Sequence, residues 1–285
     1  MPQDYEVTRK LWDGRVPVQF VLDSAEFLQR STKPFCVGFI CLLFPLKAMV
    51  PRMSYFPLIL PRVLQYFNTV VEPIAVDSVW LQYNGQPLKW YTHYFQNNLL
   101  PYMHSNVEYV LKNFPKEVMR CTGDALESVF IQSIKEADQL KHKADIINSM
   151  KSEEHKQLWN GLVQEFESFV SFDIRNVYLS DRFDEFWSVN KKLMENSDSR
   201  AILHVPIRIY EARQPFRQIL VTPYNENGGR RTLADVLEMI HVNETDKNVV
   251  SHGILLPSET PLLWMAENFC YLDNFIHIVL VPQSV

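Results

Sequence analysis

Apolar and polar residues alternate along Val16, Val18, Phe20 and Leu22, the period of a strand buried on one face. Before it, Tyr5, Thr8, Leu11 and Trp12 fall on one side of a short helix, with Gly14 as its expected terminator. From Leu60 the period lengthens. Leu60, Val63, Leu64, Phe67, Val70 and Val71 fit i, i+3, i+4, i+7 spacing, with Pro61 suited to the first turn of the helix they predict. Val79-Trp80-Leu81-Gln82-Tyr83 and Leu88-Lys89-Trp90 flank Asn84-Gly85, a strong hairpin signal. Val107, Tyr109 and Leu111 alternate again before Pro115. Strand, helix, hairpin and strand in that order predict a small α+β unit with one helix on a sheet.

The middle of the chain reads differently. Asp124 to Lys151 holds neither proline nor glycine, and Leu126, Phe130, Ile134, Ala137, Leu140, Ala144 and Ile147 make one apolar stripe, with lysines and acids on the other faces. Phe183, Phe186, Trp187, Asn190 and Leu193 give a second helical pattern between Asp181 and Glu195. The last third returns to α+β. Leu203, Val205, Ile207 and Ile209 alternate, Ile219-Leu220-Val221 follows, and Gly228-Gly229 reverses the chain. Thr232 caps a helix through Ile240, Thr260-Pro261 opens a shorter one, and Phe275 to Val281 closes as an apolar strand. The element order of the first third is repeated, so the expected class is α+β: two ubiquitin-like (β-grasp) domains flanking a helix-rich domain, with a short N-terminal helix. The boundaries fall at 1–14, 15–115, 116–199 and 200–285.

Composition narrows the chemistry. Of 285 residues only 8 are glycine, against roughly 20 at average usage. None of them has dinucleotide-fingerprint or phosphate-loop spacing, so no nucleotide cofactor is expected. The net charge of −5 argues against nucleic acid as a partner. Four cysteines in so long a chain do not make a disulfide framework, and they read as reduced thiols in the cytoplasm. No histidine has metal-ligand spacing, and no Gly-x-Ser-x-Gly nucleophile motif is present. Cys121 or Cys270 would need His155 or His277 nearby to act as a nucleophile. Phe35 to Val50 is largely apolar, but Pro45 and Lys47 interrupt it well short of the ~20 residues that a spanning helix needs. Lys135 lies off the apolar stripe, so its amine is expected to be exposed, and spacing alone gives it no special role.

Longer blocks carry a resemblance. Lys135-Glu136-Ala137-Asp138, Leu140-Lys141-His142-Lys143, His155-Lys156-Gln157-Leu158-Trp159, Asp181-Arg182-Phe183-Asp184 with Phe186-Trp187, Pro87-Leu88-Lys89-Trp90, Glu259-Thr260-Pro261-Leu262 and Asp273-Asn274-Phe275 together resemble the autophagy protein 5 family over essentially the whole chain. The resemblance implies the same arrangement of domains. It also implies a function: a scaffold joined covalently to the ubiquitin-like modifier autophagy protein 12 by an isopeptide bond at Lys135. The conjugate would bind the N-terminal helix of autophagy protein 16 and act ligase-like in lipidation of autophagy protein 8-type modifiers, without catalytic residues of its own. It would work in the cytoplasm, peripheral on the pre-autophagosomal membrane. The groove for the partner helix has no residues assigned to it. The alternative is a non-conjugated α+β adaptor that binds partner helices.

Two segments depart from the family pattern. Residues 36–47, within the apolar run, and residues 165–180 are additions of roughly ten and sixteen residues, expected to be lineage-specific insertions or unspliced sequence.

Overall fold

The structure, a computed structural model, describes residues 4–23, 45–69, 71–73, 75, 79–83, 86–87, 107–113, 123–169, 182–211, 214–243 and 247–282. The chain divides into two compact units, one of Arg15–Leu126 and one of Met1–Gly14 with Glu127–Val285.

In the first unit, β1 (Arg15–Leu22) pairs antiparallel with β2 (Leu46–Pro51), and α2 (Phe56–Phe67) follows. The hairpin of β3 (Val79–Tyr83) and β4 (Gln86–Pro87) leads to β5 (Val107–Asn113), which pairs parallel with β1. The sheet order is β2-β1-β5-β3-β4. Val16, Val18, Phe20 and Leu22 are buried, and Phe20 meets Phe56 edge-on at 6.5 Å. Phe56, Ile59, Leu60, Val63, Leu64 and Phe67 form the buried stripe of α2.

Three expectations change here. The helix begins four residues before Leu60, with Pro57 in its first turn. Pro61 lies inside it, on the exposed side; Val71 lies beyond its end, and Val70 lies outside the described residues. Proline tolerates this because only one backbone bond is lost, and the apolar stripe supplies the helix's stability. The second change concerns the supposed addition at 36–47. Leu46 and Lys47 stand opposite Phe20 and Gln19 in the sheet, so the end of that segment is an integral strand. Residues 36–44 lie outside the described residues, as do Asn84, Gly85 and residues 88–90 of the hairpin. Third, α1 (Tyr5–Asp13), which belongs to the second unit, ends at Gly14 as expected, but that glycine is extended (φ −60°, ψ 130°) and not left-handed.

In the second unit, Thr8, Leu11 and Trp12 of α1 are buried, whereas Tyr5 is half exposed. Trp12 packs on Phe183 and Phe186 of α6 (Phe183–Leu193). The helical region also holds α3 (Gly123–His142), α4 (Asp145–Ser149) and α5 (Ser152–Phe169). The expected continuous helix from Asp124 to Lys151 is broken at Lys143 and Ala144, with φ of 57° and 64°. No glycine announces this left-handed turn. Asp138 holds it: its carbonyl accepts from Ala144 N–H at 3.1 Å, and its carboxylate accepts from Ile147 N–H at 2.8 Å. Residues 165–169, the start of the supposed addition at 165–180, continue α5, while residues 170–180 lie outside the described residues.

Helices α5 and α6 approach closely at Gly161, where an added Cβ would stand 3.0 Å from Phe186 Cβ. The ion pair of Lys192 and Glu154 (2.5 Å) also joins them, holding the Glu154 carboxyl below its usual range. Gly161→Leu is expected to lower stability by about 1–3 kcal/mol through overpacking, measured as a lower denaturant midpoint with an unchanged m-value.

The second sheet comprises β6 (Val205–Glu211), β7 (Arg217–Val221), β8 (Lys247–Ser251), β9 (Ile254–Leu255) and β10 (Ile276–Pro282). Its order, β7-β6-β10-β8-β9, repeats that of the first sheet position for position, including the central parallel pair. The helix α7 (Leu233–Met239) occupies the place of α2 in chain order. Its expected cap is present: Asp235 Oδ2 accepts from Thr232 N–H at 2.6 Å. The helix α8 (Leu262–Asn268) starts after Thr260-Pro261 as expected, and six of its seven residues are buried. The hairpin of β8 and β9 had no predicted counterpart. Residues Ile276 to Val281 of β10 are buried on both faces, the mark of a central strand.

Candidate functional site

The site is built on α3, and its residues point in four directions. Ile134 and Ala137 are fully buried and anchor the helix. Asp138, 1% exposed, turns inward, where it takes His142 Nδ1 at 2.8 Å as well as the Ile147 N–H. His142 Nε2 meets the carbonyl of Glu195 at 3.0 Å, so one buried carboxylate and one imidazole tie α3 to α4 and to the end of α6.

Glu136 points sideways to the second sheet. Its Oε2 accepts from Arg208 Nη2 at 2.8 Å, and its Oε1 from Gln132 Nε2 at 3.2 Å. Arg208, on β6, lies with its guanidinium 3.6 Å from the Phe275 ring centroid and 4.0 Å from Asp273 Oδ2. Asp273 in turn accepts from His277 Nε2 at 3.0 Å, and Tyr210 OH meets His277 Nδ1 at 2.9 Å. Burial pushes the Tyr210 phenol well above its usual range, so the hydroxyl keeps its proton and donates to the imidazole.

Lys135 is different. It is exposed, as expected, and no hydrogen bond or ion pair joins its amine to any of the described residues. Each other member of the Lys135-Glu136-Ala137-Asp138 block has structural work: Glu136 as a strut to the sheet, Ala137 in the core, Asp138 at the turn.

The lysines that follow are not alike. Lys141 is completely buried, contrary to the expectation of a solvated polar face. Its Nζ donates to the carbonyl of Leu193 and to Asn274 Oδ1, both at 3.2 Å, and lies 3.6 Å from Cys270 Sγ. Asn274 holds a left-handed backbone (φ 67°) and donates to Asn190 Oδ1 at 2.7 Å. The last carbonyls of α3 are taken by Leu203 N–H and His204 N–H, which leads the chain directly into β6. Lys143 is exposed on the turn. Sequence reasoning passed over Lys141, Arg208 and Asp138. A signal existed for the first: Ile134, Ala137 and Lys141 stand at i, i+3 and i+7, which places Lys141 on the buried stripe.

Cys270 packs in the core with its thiol pushed up by burial, and its Sγ approaches the carbonyl of Ala266 at 3.4 Å, with no histidine hydrogen-bonded to it among the described residues. Cys36, Cys41 and Cys121 lie outside the described residues. Among the described residues no group of three or more histidine, cysteine or carboxylate side chains is arranged to hold a metal, and no helix is long and apolar enough to cross a membrane.

Three family models match the chain in succession: autophagy protein ATG5, UblA domain, at residues 11–96; its alpha-helical bundle region at 123–196; and its UblB domain at 204–280. The chain is 36% identical over 296 residues to autophagy-related protein 5 of Caenorhabditis elegans, with 98% of each chain covered. It is 31% identical over 293 residues to autophagy protein 5 of Drosophila melanogaster, with 98% of this chain and 97% of that one covered. The crystal structure of Kluyveromyces marxianus Atg5 superposes with a TM-score of 0.77 over 98% of this chain and 100% of that one. At 18% identity that likeness shows a shared fold.

Proposed function

The chain belongs to the autophagy protein 5 family and acts in autophagy, and from that premise we propose that Lys135 is the acceptor of autophagy protein 12. The observation that carries this reading is the exposed, unpaired Lys135 amine in a block whose other residues are committed to structure. In the step itself, the Lys135 nitrogen attacks the carbonyl carbon of the modifier's C-terminal thioester on a conjugating enzyme. The C–N bond forms, the C–S bond breaks, the thiolate leaves and the nitrogen gives up a proton. The scaffold contributes no catalytic group. Its contribution is an amine presented on a helix fixed at both ends of the block, which lowers the ordering cost of encounter.

The conjugate binds the N-terminal helix of autophagy protein 16 in an apolar groove. It then promotes transfer of autophagy protein 8-type modifiers to phosphatidylethanolamine, in the cytoplasm and peripheral on the pre-autophagosomal membrane. The four parts at 1–14, 15–115, 116–199 and 200–285 supply the helix, the two ubiquitin-like domains and the helical domain between them. The three matched family domains, at 11–96, 123–196 and 204–280, support that division.

Mapping the branched peptide in a reconstituted conjugate by mass spectrometry tests the site. The modifier's C-terminal remnant is expected on Lys135, with none on Lys141, whose amine is enclosed. A remnant on Lys143 in place of Lys135 would contradict the assignment.

A further inference from the structure

The collar of side chains around Lys135 has a property that the family reading does not supply. On a helix, the neighbours of Lys135 are at i±3 and i±4: Ile131, Gln132, Asp138 and Gln139. Ile131 is apolar and half-buried, and Gln132 and Gln139 are exposed but uncharged. Asp138 is the one carboxylate at pairing distance along the helix, and it is buried and bound to His142 and to the Ile147 N–H. The adjacent Glu136 is drawn away by Arg208, with Gln132 holding its other oxygen. Arg208 is itself fixed by the Phe275 ring and by Gln218 Oε1 at 3.2 Å from its Nε.

We propose that Arg208 is a positioning residue for the acceptor amine. By pairing with Glu136 against the second β-grasp sheet, it offsets the carboxylate adjacent in sequence to Lys135, so that the amine meets an acyl donor beside a neutralised ion pair and not beside a bare negative charge. This rests on the reading of Lys135 as acceptor and adds the residue that keeps it reactive. A carboxylate paired with the amine favours the protonated form, which has no lone pair to attack with.

The test measures the amine directly, without partner proteins. The intact chain is treated with a trace of a water-soluble N-hydroxysuccinimidyl acetate. The Lys135 nitrogen attacks the ester carbonyl, the C–N bond forms, the C–O bond to the succinimide breaks, and the amine loses its proton to buffer. The rate at Lys135 is read by peptide mass spectrometry against exposed Lys143 in the same molecule. Arg208→Met, which frees Glu136, is expected to slow Lys135 about threefold, the size of an unscreened nearby charge at the surface. Adding Glu136→Gln to Arg208→Met is expected to restore the rate, while Glu136→Gln alone leaves it unchanged. A merely structural Arg208 predicts no such rescue, and failure of the double variant to recover would overturn the proposal.

Should Arg208→Met fail to fold, Gln139→Glu places a carboxylate at i+4 on the exposed face without touching the core. It is expected to slow Lys135 about twofold, and an unchanged rate would overturn the proposal. Conjugation assays on the same variants separate the two claims. If acylation follows this pattern while the modifier attaches elsewhere, the acceptor assignment fails and the role of Arg208 stands.

Discussion

Lys141→Ala is expected to cost about 3–5 kcal/mol of folding stability, a large share of the 5–15 kcal/mol that a domain ordinarily has. The wild-type side chain is fully enclosed, and its amine serves three acceptors from two places: Leu193 O at the end of α6, and Asn274 Oδ1 and Cys270 Sγ before β10. Truncation leaves a cavity the size of a lysine stem and strips the donor from the two oxygens. Each buried unpaired acceptor costs about 1–3 kcal/mol. Asn274, left-handed at φ 67°, also loses one of its two side-chain partners and keeps only its bond to Asn190.

Lys141→Met separates the two effects, because it fills the space and removes the donors. It is expected to lose about half as much. Equilibrium denaturation in urea measures both. A loss under 1 kcal/mol for Lys141→Ala would mean that the network is ornamental. A second readout is the Cys270 thiol, which burial keeps protonated. It should react slowly with thiol reagents in the native protein and faster in Lys141→Ala.

The importance of this buried amine is positional. Lys141 sits six residues after Lys135 on the same helix and joins that helix to the second β-grasp domain. Glu136 and Arg208 make a second joint one residue from Lys135. The backbone of Leu203 and His204 makes a third by taking the last carbonyls of α3. Three independent ties along one helix turn a flexible surface lysine into an amine at a fixed place.

The elements legible in the sequence were those with a strong period or a punctuating residue. Strand β1 announced itself by alternation, α7 by its Thr232 cap, and the β3–β4 hairpin by Asn84-Gly85. The repeat of element order between the first and last thirds held in the sheets, down to the order of strands. What the sequence hid were features decided by distant partners. The break at Lys143–Ala144 lacks glycine, because Asp138 stabilises the turn from five residues back. Strand β2 looked like part of an apolar intrusion, because its pairing with β1 is invisible locally. Helix α5 ran into the segment taken as an addition. At the site, the exposure of Lys135 followed from its place off the stripe, but its significance came from resemblance. Arg208 was beyond reach, being 73 positions away in sequence from Lys135.

Lys135→Arg is expected to abolish the covalent conjugate while leaving the fold intact. Arginine keeps the positive charge, the length and the helix preference of lysine at an exposed position, so stability should move by no more than about 0.5 kcal/mol. What it lacks is a nitrogen that can be deprotonated at working pH, since the guanidinium stays protonated above pH ~12. No other lysine of the run replaces it by proximity. Lys141 is enclosed, and Lys143 stands on the turn beyond the end of α3. The deciding measurement is an in vitro reaction of purified chain with autophagy protein 12, its activating and conjugating enzymes and ATP, followed as a mobility shift on a denaturing gel. The wild type is expected to shift to the larger species and Lys135→Arg to remain wholly unshifted; a conjugate that persists at the wild-type level in Lys135→Arg would contradict the account.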